Sequence, residues 1–383
     1  MGKIDYSKFQ DSKLSEHYAH AIVKKVHSQK AEIEKFLKQL DPGLNLKKFL
    51  LLPFEKLVEY AEIIENAKTN SVITFPGSNS MFELSKLKEV FDYKACLNSV
   101  ISPFFMKYSS TINIRTCYYC NIDFVNAYLP FKNDYQDFFH FIDIAEYEDL
   151  IYIKGIEEIS AKKIIRLCRG KVKNISDLNR ILQHEKTILN KLTAAKSTDD
   201  SINFEILKNK KNHYTVDHIL PQKDFPCFSL CLFNLLPTCY SCNSKLKKQK
   251  LLAKSVSDML KVSPTSNQYE NQYYFKLYYK YGYSKNKLPD SQDKYSIQIE
   301  KLNQFSEILQ LQGRYNFHKS ESLTLINKRA IYSDSQIREI SKLLKIDERE
   351  IKSHIFGMDL FAPDSNQPLE RYRKDIAKEL GLY

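Results

Sequence analysis

The sequence predicts an α+β protein that is predominantly helical, and three observations carry that expectation. Apolar residues recur at helical spacing over residues 20–40 (Ile22, Val26, Ile33, Phe36, Leu37) and again over Phe54–Ala67. Near Thr111 the pattern changes to Ile112 and Ile114, then Ile122-Asp123-Phe124-Val125, as expected of two short strands. Strict alternation returns at Tyr295-Ser296-Ile297-Gln298-Ile299.

Taken in order, residues 1–110 read as an N-terminal helical domain, its pieces separated by the breakers Asp41-Pro42-Gly43 and Pro76-Gly77-Ser78-Asn79. Residues 111–260 form the expected core, interrupted by a helical insertion at about 126–210. Residues 261–383 read as a mainly helical C-terminal domain. Its aromatic stretch, Tyr273, Tyr274, Phe275, Tyr278 and Tyr279, is expected to be core at helical spacing rather than a stacking surface for bases. A helix over 335–344 is expected to open at Ser333 or Ser335.

Composition narrows the class. Of 383 residues, 43% are hydrophobic and 27% charged, which excludes a disordered chain. No apolar run approaches the roughly 18–20 residues of a transmembrane helix. The opening residues lack a secretory signal, so the expectation is a cytoplasmic protein without a membrane partner. The net charge of +12 is concentrated. Residues 208–254 hold nine Lys against Asp217 and Asp224, and residues 150–182 hold eight basic residues against three acids. Such clusters suit a polyanion, because each neutralised phosphate releases counterions; a solvated Lys-rich face is the plainer alternative.

Four of the eight cysteines form two C-x-x-C pairs, Cys117-Tyr-Tyr-Cys120 and Cys239-Tyr-Ser-Cys242. Each pair can offer two thiolates from one tight knuckle, and two knuckles complete the shell of a structural Zn²⁺. The 118 residues between Cys120 and Cys239 exceed a compact ribbon, so the reading requires a module inserted between the knuckles. Two unrelated pairs, or a redox pair, are the alternatives.

Within the insertion, Ile153-Lys154-Gly155-Ile156-Glu157-Glu158-Ile159-Ser160-Ala161-Lys162-Lys163-Ile164 resembles a helix–hairpin–helix element, with Glu157 where that family carries a second Gly. The resemblance implies a glycine turn offering N–H groups to phosphate, with Lys154, Lys162 and Lys163 adding charge.

The segment richest in chemistry runs Tyr214-Thr215-Val216-Asp217-His218-Ile219-Leu220-Pro221, then Asn234-Leu235, then Cys239-Tyr-Ser-Cys242-Asn243-Ser244-Lys245. A short strand delivers adjacent Asp and His facing opposite ways, and a knuckle leads into a Lys-rich helix. The arrangement resembles the HNH (ββα-metal) endonucleases, over residues 112–125 and 212–250, in the branch stapled by a four-cysteine zinc site. The likeness implies a ββα-metal core with a structural zinc on Cys117, Cys120, Cys239 and Cys242. It implies His218 as general base, Asp217 and Asn243 as ligands of a catalytic Mg²⁺ or Mn²⁺, and Asn234 as the residue that orients loop or base. Lys245, Lys247 and Lys248 are expected to join Lys154, Lys162 and Lys163 on nucleic acid, double-stranded DNA first. The stretch 225–237 is similar to HNH proteins of restriction and anti-phage defence, several of which act with an ATPase; this chain carries no Walker A sequence of its own. A non-catalytic, zinc-stapled nucleic-acid-binding adaptor is the competing expectation.

Overall fold

Helical periodicity is realised first at the N-terminal end of the structure, a computed structural model that describes Ile4 and residues 13–109, 111–357 and 361–383. Helices α1 (Lys13–Lys25) and α2 (Lys30–Leu40) replace the single run expected at 20–40, because the chain tightens into a 3₁₀ turn at His27–Gln29. α3 spans Phe54–Ala67 and buries Phe54, Leu57, Val58, Ala61 and Ile64 along one stripe. The segment then departs from the all-helical expectation. A three-stranded antiparallel sheet follows, β1 (Lys68–Thr69), β2 (Val72–Thr74) and β3 (Met81–Glu83). Strands of two and three residues are too short to leave an alternation in the sequence.

The chain packs as two compact units. One comprises Met1–Ile101, Ser110–Val125 and Tyr214–Tyr383; the other comprises Ser102–Ser109 and Asn126–His213. The N- and C-terminal segments, expected as separate domains, therefore share a unit. The N-terminal segment joins the C-terminal one where Ser266 donates from Oγ to Glu55 at 3.0 Å, and it packs on the apolar stretch after Pro221, whose Phe225, Cys227, Phe228, Leu230, Leu232 and Phe233 are all buried. Phe49 packs on Phe228 at 5.9 Å between ring centroids, and the Tyr18 hydroxyl donates to the Leu230 carbonyl at 2.8 Å.

In the smaller unit, strands β4 (Ala127–Tyr128) and β5 (Lys211–Asn212) pair antiparallel where the insertion begins and ends. Between them lie α4 (Phe138–Ile144), α5 (Tyr147–Leu150), α6 (Glu158–Cys168), α7 (Ile175–Ile181) and α8 (Lys186–Ala194). Phe138, Phe141, Leu150, Ile156, Ile164, Leu178 and Leu192 form their common core. α5 and α6 are joined by a tight turn in which Ile156 N donates to Ile153 O at 3.0 Å, with Gly155 at φ +84°. A side chain at 155 would meet Lys191, whose amine donates to the Gly155 carbonyl at 2.6 Å.

In the larger unit, β6 (Thr215–His218) pairs antiparallel with β7 (Leu235–Thr238), setting Asp217 opposite Leu236 and His218 opposite Leu235. A helix α9 (Ser241–Lys247) follows, wound in part with i→i+5 hydrogen bonds, as Lys248 N donates to Asn243 O at 2.7 Å. Around the first knuckle the two expected strands reduce to a single bridge, Thr116 to Phe124. Further on, β8 (Tyr274–Tyr279) pairs with β9 (Tyr295–Glu300) over six residues. The aromatic stretch is thus a strand, not a helical stripe: Phe275 and Leu277 point inward while Tyr274 and Lys276 face out. The chain ends in helices, among them α10 (Leu311–Asn316), α11 (Lys319–Ile331), α12 (Asp334–Leu344) and α13 (Glu370–Glu379). Ser333 caps α12 in a reciprocal box with Gln336. The fold is α+β and mostly helical, with few, short strands.

Candidate active site and metal centre

The two knuckles meet. The sulfurs of Cys117, Cys120, Cys239 and Cys242 all lie within 4.8 Å of one another, and all four residues are buried. Tetrahedral thiolates about 2.3 Å from one ion stand about 3.8 Å apart; Cys120 Sγ and Cys239 Sγ are 3.9 Å apart, far beyond a disulfide bond. This donor set fits zinc, soft thiolates in a closed shell. The first knuckle turns through hydrogen bonds from Cys117 N to Asp123 O (2.9 Å) and from Asn121 N to Cys117 O (2.7 Å). Arg314, from α10, donates to Cys242 Sγ at 3.1 Å and to Asp123 at 3.0 Å, supplying a cation against the thiolate charge. Nothing in the sequence marks Arg314, which stands 72 residues beyond Cys242.

The pleat of β6 sorts the next residues onto two faces. On one face, Asn243 donates from Nδ2 to the Thr215 hydroxyl at 2.9 Å, and Asp217 lies two residues further along. Asp217 is 3% exposed. It accepts from the Tyr119 hydroxyl at 2.7 Å and from the Lys247 ammonium, 3.0 Å from Oδ2 and 3.1 Å from Oδ1. Burial raises the Asp217 carboxyl above the ordinary carboxylate range, against the opposing pull of Lys247 and Tyr119. Lys247 also donates to the His218 carbonyl at 2.7 Å and is fully buried. Lys247, expected on nucleic acid, is therefore an internal residue. Bonds of the i→i+5 kind place residues five apart above one another, which brings Lys247 onto the buried side of α9 with Cys242.

This carboxylate, as arranged, does not fit a divalent ion. Both of its oxygens are engaged, one partner is itself a cation, and the Asn243 amide is turned to Thr215. An ion at Asp217 would have to take the place of the Lys247 ammonium. Lys247→Met is expected to lower unfolding stability by about 3–5 kcal/mol, because it leaves a buried charge without its partner. Asp217→Asn in the same chain should recover most of that loss; urea denaturation of both variants checks it.

On the opposite face, the His218 ring packs edge-on against Tyr93, centroids 4.4 Å apart, with Nε2 3.1 Å from the Ser229 carbonyl. A carbonyl only accepts, so Nε2 carries the proton and Nδ1 is the basic nitrogen. Nδ1 has no hydrogen-bond partner among the described residues. Burial pushes the His218 imidazolium down to about 4; the Ser229 bond opposes that shift and the Lys247 charge adds to it. The unfolded chain therefore takes up a proton near pH 6.5 that the folded chain refuses until about 4. Stability should fall on acidification through that window, by up to about 3 kcal/mol. Denaturation at about pH 7 and about pH 5 tests this, and His218→Gln should flatten the loss.

Asn234 holds the loop that carries Ser229. Its Oδ1 accepts from Leu220 N at 2.7 Å, and its Nδ2 donates to the carbonyls of Leu220 (3.2 Å) and Phe228 (3.1 Å). Ser229 in turn donates from Oγ to Phe91 O at 3.0 Å. Ser229, Tyr93, Tyr119 and Arg314 belong to the site without a sequence signal: the first acts through its backbone, and the tyrosines carry no diagnostic spacing.

The remaining lysines differ in their company. Lys245 and Lys248 are exposed, Lys245 5.7 Å from the Tyr240 ring. On α6, Lys162 pairs with Glu158 and Lys163 with Glu185 at the start of α8, whereas Lys154 is exposed beside Gly155. Comparison of the chain with protein-family models, with curated proteins and with solved structures returned no match.

Proposed function

We propose that this chain is an endonuclease of the HNH type that hydrolyses phosphodiester bonds of nucleic acid, DNA first, with His218 as general base. The observation that carries the reading is the His218 ring: a neutral imidazole, its tautomer fixed by the Ser229 carbonyl, with Nδ1 unpartnered among the described residues. Such a nitrogen can take the proton of a water attacking phosphorus. Three further features support it. The β6–β7 hairpin is followed by the short i→i+5-wound helix α9, which supports the resemblance in the order of its elements alone. Asn234 fixes the loop behind the base. The four-cysteine cluster staples the hairpin to the first knuckle, and zinc there serves structure, not chemistry.

Asp217, Tyr119 and Lys247 hold the end of β6, so that the peptide bearing His218 is fixed from the face away from the base. Purified protein should be incubated with plasmid, linear duplex, single strands and RNA, with Mg²⁺ or Mn²⁺ and with EDTA. Cleavage that requires the divalent ion supports its displacing Lys247; cleavage that survives EDTA supports Lys247 as the resident cation at Asp217. A role in restriction or anti-phage defence, with an ATPase partner, extends the proposal on the sequence resemblance alone.

The buried Asp217–Lys247 pair also favours a second reading, a zinc-stapled nucleic-acid-binding adaptor in which the pair is structural. That reading predicts binding without cleavage under every condition above.

A further inference from the structure

The smaller unit ties many of its basic side chains into ion pairs. Lys132 bonds Glu148, Lys162 bonds Glu158, Lys163 bonds Glu185, Arg169 bonds Glu146, Arg180 bonds Asp177 and Lys196 bonds Asp200. Other basic side chains of the unit carry no such pair among the described residues, and three of these are lysines that share one wall. Among the described residues, Lys107, Lys154 and Lys210 have no ion-pair partner, and all three line one open cavity of about 460 Å³.

The cavity is built from three separate stretches of the unit. Lys107 ends the helix Ser102–Lys107, Lys154 stands on the glycine turn between α5 and α6, and Lys208 and Lys210 lie just before β5. The turn and the last stretch are fastened side by side: Ile153 bridges Leu207, and Lys208 N donates to Tyr152 O at 2.7 Å. Lys208 is anchored to Glu157 at 2.9 Å, leaving Glu205 as the one carboxylate on the cavity wall. Pro103, Met106, Ile206 and Leu207 supply apolar wall between the charges.

Lys210 shows the tension most clearly. Burial pushes its amine down to about 8, with Glu205 pulling it up and Lys107 pushing it down. Its Nζ lies 4.6 Å from the Phe204 ring centroid and 3.3 Å from the Glu205 carbonyl. Glu205 is the single counter-charge on a wall that carries these three lysines, so Lys107 still pushes against Lys210, and an anion relieves that repulsion.

We propose that this cavity is a phosphate-binding site, with Lys107, Lys154 and Lys210 as its cationic ligands and the sugar–phosphate backbone of a nucleic-acid strand as the group it takes. The apolar wall suits the sugar, and a volume of this size holds about one nucleotide. A free nucleotide offers the same phosphate chemistry and is the alternative source. The site lies outside the residues assigned to hydrolysis, so it stands or falls by binding and not by cleavage.

The test is binding by the full-length His218→Ala chain, by fluorescence anisotropy, of a labelled DNA duplex, a labelled single strand and labelled ATP over a salt series. In Lys107→Gln/Lys154→Gln/Lys210→Gln, the slope of log K against log salt for the duplex should fall by about one for each lysine replaced, up to about three. Each lysine–phosphate pairing is worth roughly eightfold in affinity at 0.1 M salt relative to 1 M. Lys162→Gln/Lys163→Gln, which removes paired lysines, should change it far less. Lys210→Arg alone should keep the parent affinity, separating loss of charge from loss of fold. Weaker binding of the oligonucleotides identifies the backbone as the source; weakening confined to ATP assigns the site to a free nucleotide. Parent slope and affinity for every probe in the triple variant would overturn the proposal.

Discussion

Replacing Cys239 by Ser is expected to unfold the larger unit rather than to damage catalysis selectively. The four sulfurs join two knuckles with 118 residues between them, and Cys239 stands between β7 and α9, the two elements that position Asn243 and Lys247. Structural zinc in small domains contributes an apparent 10–16 kcal/mol or so at neutral pH, comparable with the whole stability of a folded domain. Elemental analysis of the parent should find about one zinc per chain, and the variant should lose it together with cooperative unfolding. A zinc-free parent with a sharp unfolding transition would remove the metal centre from the account.

His218→Ala is expected to cost about 10²–10⁴ in cleavage rate, the usual contribution of a positioned base. Nucleic-acid binding should stay near the parent value, because the residue is 8% exposed and its partners are Tyr93 and the Ser229 carbonyl. Stability at neutral pH should fall modestly through the missing packing against Tyr93. The two variants thus separate by kind: Cys239→Ser loses structure, His218→Ala loses chemistry.

Much of this is legible in the sequence, for identifiable reasons. The C-x-x-C pairs announce a four-thiolate cluster because ligand spacing is local to each knuckle, even when the knuckles are far apart. Phe54–Ala67 and the Ser333-capped α12 carry strong periodicity and an explicit cap. Ordinary helical periodicity turns Lys247 away from Cys242 and suggests a surface lysine, whereas the i→i+5 winding of α9 turns it inward. Its pairing with Asp217 depends on that local geometry and leaves no trace in the residue pattern. Tyr119 reads as one more aromatic between two cysteines. Ser229 holds the base through a carbonyl, which every residue possesses. The lysine cavity collects side chains from residues 107, 154 and 210, a juxtaposition that only the fold of the smaller unit makes.

The most direct test of the central claim is plasmid cleavage by the parent chain and by His218→Ala, side by side, at equal protein concentration and with binding measured in parallel. The account predicts nicked or linear product from the parent and a loss of at least about a hundredfold in the variant, with binding retained. Cleavage by His218→Ala at the parent rate would contradict it.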